Sequence, residues 1–269
     1  MFIDFLIGGI SASVAKTSLA PIELYRIQKQ NYFLPNASLR KVLKTEGIRG
    51  LWKGNGVNCI RAFPQYAINL SLFRELKEQN YLSIENKELL HFSTALLTGT
   101  TSMFLIYPLE TCKTYLSLQS NKNKFDNIFD IFKKVRFTQL YGGVQMSLLG
   151  FAPWNAISIT AYHYYKDIDW FKSETTNRLF SGGLAGITAI SITYPTDLIR
   201  RRLQLQNFDP LVPRYDGIID CCKKIYKTEG IRGFYRGISG NYMKAFPNGA
   251  IQFYTMDFLT KYLKTNKLN

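Results

Sequence analysis

Histidine is nearly absent from this chain, at 2 residues in 269, and cysteine contributes only 4. Cys59, Cys112, Cys221 and Cys222 form no C-x-x-C pair and do not alternate with His91 or His163, so neither a zinc site nor a disulfide framework is suggested, and the thiols are expected to stay reduced. Neither histidine has a nucleophile or a metal partner near it, and both read as interfacial residues. No catalysis and no cofactor are therefore expected. Acid is also scarce, with 19 Asp and Glu against 34 Lys and Arg, a formal charge of +15. That balance calls for an anionic partner: nucleic acid, a phospholipid surface or a soluble phosphorylated molecule. At the N-terminus apolar sequence begins at Phe2 with no basic n-region, so neither a cleavable signal peptide nor an Arg-rich presequence is expected. Uniformly greasy runs are missing too, although 46% of the residues are hydrophobic.

What is present is repetition. KTEGIRG occurs at 44–50 and again at 227–233, and at that same offset of 183 residues Asn58, Arg61, Ala62, Phe63 and Pro64 match Asn241, Lys244, Ala245, Phe246 and Pro247. A weaker middle copy is anchored by proline. Pro21, Pro108 and Pro195 are spaced by 87 residues, each with an acid two residues on and a base five residues on. The resulting pairs are Glu23 with Arg26, Glu110 with Lys113, and Asp197 with Arg200.

Three tandem copies carrying PIELYR, YPLETCK and YPTDLIR, followed by LWKG, LYGG and FYRG, resemble the mitochondrial carrier family over essentially the whole chain. The resemblance implies an all-α membrane protein with six transmembrane helices in three tandem repeats, pseudo-threefold, with short matrix-side helices between them. The repeats are drawn at 1–83, 84–172 and 173–269.

Segments 2–25, 54–73, 91–112, 143–162, 179–199 and 237–256 agree with that expectation, being about twenty residues each and able to cross roughly 30 Å of hydrocarbon. They are rich in Gly, Ala, Ser and Thr, as suits closely packed helices around a polar interior; a soluble helical bundle is the alternative. The connections 26–53, 113–142 and 200–236 hold 22 basic residues, whereas the opposite side holds 9 against 8 acids. This positive-inside pattern puts the long connections on the matrix side and both termini on the intermembrane-space side of the mitochondrial inner membrane, the organelle being implied by the resemblance alone.

Of the 34 basic residues, the census leaves Lys16, Arg61 and Lys244 inside the spans, with no acid at mid-span to neutralise them. Each costs about 2.5–3.5 kcal/mol in hydrocarbon, so each is expected to face water or a ligand. Snorkelling to an interface or pairing with backbone carbonyls is the structural alternative. In a ring of six helices the first, second and sixth are neighbours, so the three cations are expected on one wall, suited to a multiply charged phosphate compound. Opposite them, Gly150, Phe151 and Trp154 share one helical face, where a ring beside a glycine gap can hold a flat base or pack as core. The resemblance implies substrate contacts at Arg61, at Gly150 with Phe151, and at Lys244, and AKTSLAP resembles the first helix of ADP/ATP carriers, whose lysine takes part in nucleotide binding. Two departures point away from plain ATP/ADP exchange: Phe151 stands where nucleotide carriers favour an aliphatic residue, and RRRLQLQ replaces three arginines followed by three methionines. Carriers of CoA, of thiamine pyrophosphate or of other nucleotides remain open.

The i, i+3 acid and base pairs after each proline can close a matrix gate as a ring of ion pairs, with Gln30 and Gln204 at the family's bracing positions and Ser117 in the middle copy. The prolines are expected to kink the odd-numbered spans there. The corresponding cytoplasmic gate is degraded, leaving Lys77, Lys166 and Asp257, so the empty protein is expected to favour opening toward the cytoplasm. Gly54, Gly143 and Gly237 open even-numbered helices; the resemblance makes them cardiolipin sites, and plain helix starts are the alternative. The expected partners are a phosphorylated small molecule and membrane lipid, for a monomer that binds no nucleic acid. The rival from another class is a basic nucleic-acid-binding protein. Against it, the charge is split over three equivalent connections rather than gathered on one element.

Overall fold

The computed structural model describes residues 2–31, 38–78, 87–119, 125–208 and 212–265, and the described residues are overwhelmingly helical. In chain order the helices are α1 (Phe2–Ser18), α2 (Ala20–Gln30), α3 (Leu39–Glu46), a 3-10 turn (Ile48–Trp52), α4 (Asn55–Glu78), α5 (Lys87–Leu118), α6 (Ile128–Lys134), α7 (Phe137–Leu140), α8 (Val144–Lys166), α9 (Glu174–Leu205), α10 (Ile218–Gly233) and α11 (Ile238–Thr265). The long helices touch in the order α1, α4, α5, α8, α9, α11 and back to α1, closing a ring. The short helices α3, α6, α7 and α10 gather at one end of it.

The first long helix is interrupted at Leu19, where α1 and α2 meet at 63°. The cause lies in Pro21, which has no N–H for the carbonyl four residues earlier, that of Thr17. Thr17 instead accepts from the Trp52 indole at 2.9 Å. The expected kink is thus a break here, whereas α5 and α9 run through Pro108 and Pro195 as single helices. In those two helices a tyrosine precedes the proline, and its hydroxyl ties the helix to the next connection: Tyr107 donates to the Gly142 carbonyl at 2.8 Å and Tyr194 to that of Arg236 at 2.7 Å. Ala20 stands at the matching place in the first copy and has no hydroxyl to offer.

Two apolar clusters form the core, and both lie at the end where the connections gather. One joins Ile27, Cys112, Tyr115, Ile131, Leu140 and Leu205; the other joins Met146, Tyr194, Leu198, Leu203, Tyr215 and Ile225. Local chemistry places the short helices against them. Asn127 caps α6 by accepting from the Asp130 N–H, and Asp130 opens the helix that Lys133 and Lys134 close, each charge complementing the helix dipole. Among the described residues the other end of the ring has no such core, and side chains along α8 and α11 there stay half-buried or exposed.

Among the described residues, Leu89–Leu118 is long and apolar enough to cross a membrane, and Phe5–Ser18 with Ala20–Gln30 passes together as a bent pair. The remaining long helices fall short of that composition because their inward faces carry glycine, hydroxyl and charged side chains. Their outward faces are apolar: Ile159, Ile192, Tyr254 and Phe258 are all exposed.

Candidate functional site

Where α2, α5 and α9 converge, the side chains that follow the three prolines interlock. Within helices, Arg26 pairs with Glu23 at 2.6 Å and Arg200 with Asp197 at 2.8 Å. Between helices, Lys113 reaches Glu23 at 3.0 Å, Arg26 reaches Asp197 at 3.6 Å and Arg200 reaches Glu110 at 3.8 Å. Each helix end is thereby tied to both others. Gln30 reinforces the α2–α9 link by donating to Asp197 at 3.2 Å and to the Tyr194 hydroxyl at 3.0 Å. Gln204 works on a different residue, accepting from Arg201 at 3.0 Å. Ser117 braces no side chain; its hydroxyl bonds to the carbonyls of Lys113 and Lys53.

The expectation that the in-span cations lack acidic partners is corrected for two of them. Lys244 is ion-paired with Glu23, and Arg61 with Glu110. Depth along a single span hid this, because both carboxylates stand at the ends of neighbouring helices within reach of a long side chain. Lys16 differs: its Nζ lies 3.5 Å from the Asn58 carbonyl and has no carboxylate partner among the described residues. Arg61 donates to the Asn58 side chain at 3.4 Å, so α1 and α4 bring these two cations to one asparagine. Asn241, the match of Asn58 at the 183-residue offset, accepts from Arg26 at 2.8 Å.

Above this network opens a cavity of about 1240 Å³. Arg26, Asp197, Arg200 and Lys244 form its floor, Gly150, Phe151 and Trp154 line the α8 wall, and Tyr162, Arg178, Asp257 and Thr260 stand at its mouth. Lys16 and Arg61 are not among its lining residues, so the three cations do not share one cavity wall. The expected glycine gap is also absent. The Thr196 side chain occupies the place where a Gly150 Cβ would sit, so glycine is needed there for packing of α8 on α9.

At the cavity mouth the cytoplasmic-gate candidates are not brought together. Asp257 pairs with Lys261 on its own helix at 2.7 Å, and Lys166 is exposed. The Lys77 side chain lies outside the described residues. Among those described, no ion pair joins two helices at this end.

Gly54, Gly143 and Gly237 share one geometry. Their φ angles are +74°, +77° and +85°, in the left-handed region, and each lies against the carbonyl of the gate base on a neighbouring helix. A methyl group would come within 2.9 Å of the Lys113 oxygen, 2.6 Å of that of Arg200 and 3.1 Å of that of Arg26. The dihedral and the close approach both require glycine.

Several contributors were missed in the sequence. Arg201, 1% exposed, donates to Glu110 at 2.7 Å and to Thr114 at 2.5 Å. Arg202 pairs with Glu229 at 2.8 Å, and Arg236 holds the same carboxylate. The signal was the run RRR itself, read for the methionines missing after it and not as a set of partners for acids far away in the chain.

The sequence pattern of the mitochondrial carrier protein family matches residues 1–81, 85–170 and 171–267. An uncharacterized mitochondrial carrier of Schizosaccharomyces pombe is 32% identical, over 97% of this chain and 92% of its own length. Solute carrier family 25 member 16 of Homo sapiens is 29% identical, over 98% of this chain and 89% of its own. A mitochondrial adenyl nucleotide antiporter of Oryctolagus cuniculus is 29% identical, over 93% of this chain and 56% of its own. Three matched segments, two proline helices locked to a third by ion pairs, and relatives matched along nearly the whole chain agree: this chain belongs to the mitochondrial carrier family.

Proposed function

We propose that this carrier exchanges nucleotides, ADP/ATP or deoxynucleotides among them, across the mitochondrial inner membrane by alternating access. The observation that carries the reading is an excess of positive charge at the cavity floor and in the network directly beneath it. Glu23, Glu110 and Asp197 face Arg26, Lys113, Arg200, Arg201, Arg61 and Lys244, and Lys16 adds a cation with no carboxylate of its own among the described residues. Fixed cations in such surroundings are stabilised by a multiply charged anion, and phosphate oxygens suit the planar fork of arginine. The likeness to an adenyl nucleotide antiporter adds support.

In the mechanism, the ring of ion pairs at α2, α5 and α9 is the matrix gate, closed in this state, and Gln30 and Gln204 reinforce it. Among the described residues the opposite end holds only pairs within single helices, which supports an empty carrier that rests open to the cytoplasm. An entering polyphosphate draws Arg61 and Lys244 from Glu110 and Glu23. Glu110 and Glu23 of the gate thereby lose their partners on α4 and α11 at the moment the ligand neutralises those cations, which gives the ligand the differential affinity for the two states that alternating access needs. Six helices cross the membrane in three repeats, with boundaries near 83 and 172. Both termini face the intermembrane space. Gly54, Gly143 and Gly237 start even-numbered helices whose N–H groups hold cardiolipin phosphate. The ring closes within one chain, which supports a monomer.

Carriage of CoA or thiamine pyrophosphate is the second reading, favoured by RRRLQLQ and by the aromatic wall of Phe151 and Trp154. Reconstitution in liposomes, with uptake competed by ribo- and deoxynucleotides, CoA and thiamine pyrophosphate, separates the two. Nucleotide competition is the expected result, and failure of every phosphorylated compound overturns both.

A further inference from the structure

The three proline-containing even helices read RAFPQYA, GFAPWNA and KAFPNGA at 61–67, 150–156 and 244–250, so the middle copy inverts the order of alanine and phenylalanine. In the outer copies the phenylalanine packs over a glycine of the neighbouring odd helix, Phe63 on Gly9 and Phe246 on Gly183. Moving the ring back one residue turns it by about 100° around its helix. Phe151 still lies over a glycine of the preceding long helix, Gly99 of α5, and from its shifted place it lines two spaces at once: the large cavity and a second one of about 360 Å³ between α4, α5 and α8.

Tyr66, Asn69, Phe73, Thr98, Gly99 and Phe151 bound this second cavity. Its three rings come with polar groups that have nothing to bond. Thr98 is 4% exposed and its hydroxyl has no hydrogen-bond partner, and neither has the Asn69 Oδ1. One turn away on either side, Thr94 and Ser102, each 1% exposed, also have hydroxyls without a partner. Buried polar atoms left unmatched are costly, and a protein keeps them where a ligand or water supplies the bond. The position fits as well. Tyr66 and Asn69 lie five and eight residues beyond Arg61 on α4, about 8 and 12 Å along the axis, which is the distance from the phosphates of a nucleotide to its base.

We propose that this second cavity is the subsite for the flat heteroaromatic ring of the substrate, stacked by Phe151 and Phe73, with Tyr66, whose ring is packed on Gly8 of α1, closing its side, and hydrogen-bonded at its edge by Asn69 and Thr98. The inference rests on the reading of the substrate as a nucleotide. It moves base recognition from Trp154 on the large-cavity wall to the α4–α5 side. An asparagine amide and a hydroxyl can satisfy a ring edge that carries both a donor and an acceptor.

The test measures competition of ATP, GTP, CTP, UTP and inorganic tripolyphosphate in liposomes containing the full chain, with Thr98→Val and Asn69→Leu as independent variants, so that one still reports where the other fails to fold. In the wild type the preferred nucleotide is expected to bind more tightly than tripolyphosphate. In either variant its affinity falls about tenfold, toward that of tripolyphosphate, while tripolyphosphate, which has no ring to place, keeps its own. Persistence of the nucleotide preference in both variants, or its loss only in Trp154→Leu, overturns the subsite. Equal wild-type affinity for nucleotide and tripolyphosphate overturns the subsite but leaves phosphate transport standing, and no binding of any of these compounds overturns the nucleotide reading itself.

Discussion

Glu23 on α2 holds lysines from two other helices, Lys113 of α5 at 3.0 Å and Lys244 of α11, in addition to Arg26 of its own helix. One carboxylate thus joins a residue of the gate to a residue proposed to contact substrate. A ligand that takes Lys244 acts on the gate through Glu23 with no intermediary.

Replacing Glu23 by glutamine keeps the shape and removes the charge, leaving two lysines and an arginine without this acid. Breaking buried ion pairs from one side costs about 3–5 kcal/mol. Glu23→Gln is expected to lower the unfolding temperature of the empty carrier markedly, and Lys244→Met in that background to recover part of the loss. A melting curve indistinguishable from wild type would show that the network holds nothing together.

Lys16 lies against the Asn58 carbonyl and, among the described residues, has no carboxylate to lose. Lys16→Ala is therefore expected to leave thermal stability unchanged or slightly raised while slowing uptake by at least about tenfold, the value of one charge-assisted contact. Uptake at the wild-type rate would return the lysine to a structural role.

Gly143 combines φ +77° with a place 2.6 Å from the Arg200 carbonyl for any added methyl. Gly143→Ala is expected to cost more than the roughly 1–2 kcal/mol of the backbone strain alone. Gly56, helical and with nothing within 4 Å, is the control, and Gly56→Ala is expected to be neutral or mildly stabilising. Equal effects of the two substitutions on the unfolding temperature would contradict the packing described.

Cys221 on α10 is wholly buried in the second core cluster, and burial pushes its thiol up to about 12. Since the thiolate is the nucleophile, alkylation at pH 8 is expected to be roughly a thousandfold slower than for a free thiol. Raising the pH toward 12 speeds it, and unfolding abolishes the protection. Rapid labelling of Cys221 in the folded protein at pH 8 would show that α10 is not seated as described.

The repeats and the proline signatures made the helices and the convergence of Glu23, Glu110 and Asp197 legible, because both follow from fixed spacing along the chain. Pairing across the ring was not legible in the same way. Arg61 finds Glu110 and Lys244 finds Glu23 through side chains that cross between helices, and linear distance carries no sign of that. Gly150 misled for a related reason: a glycine in sequence leaves open whether the space is kept free or filled, and here Thr196 fills it. The kink at Pro21 was legible, but the partner of the carbonyl that Pro21 cannot serve was not: the Trp52 indole that takes it stands more than thirty residues away. By contrast the Phe151 and Ala152 inversion is plain in the sequence, but its consequence needed Gly99 in place beside it.

The most direct measurement is counter-exchange in liposomes containing the purified full chain, loaded with one unlabelled nucleotide and offered labelled nucleotides, CoA, thiamine pyrophosphate and a dicarboxylate in turn. Exchange of a nucleotide that rises with internal nucleotide and collapses in Lys16→Ala is the expected result. Exchange of the dicarboxylate with none of the phosphorylated compounds would contradict the proposal that the cations at and beneath the cavity floor are a phosphate site.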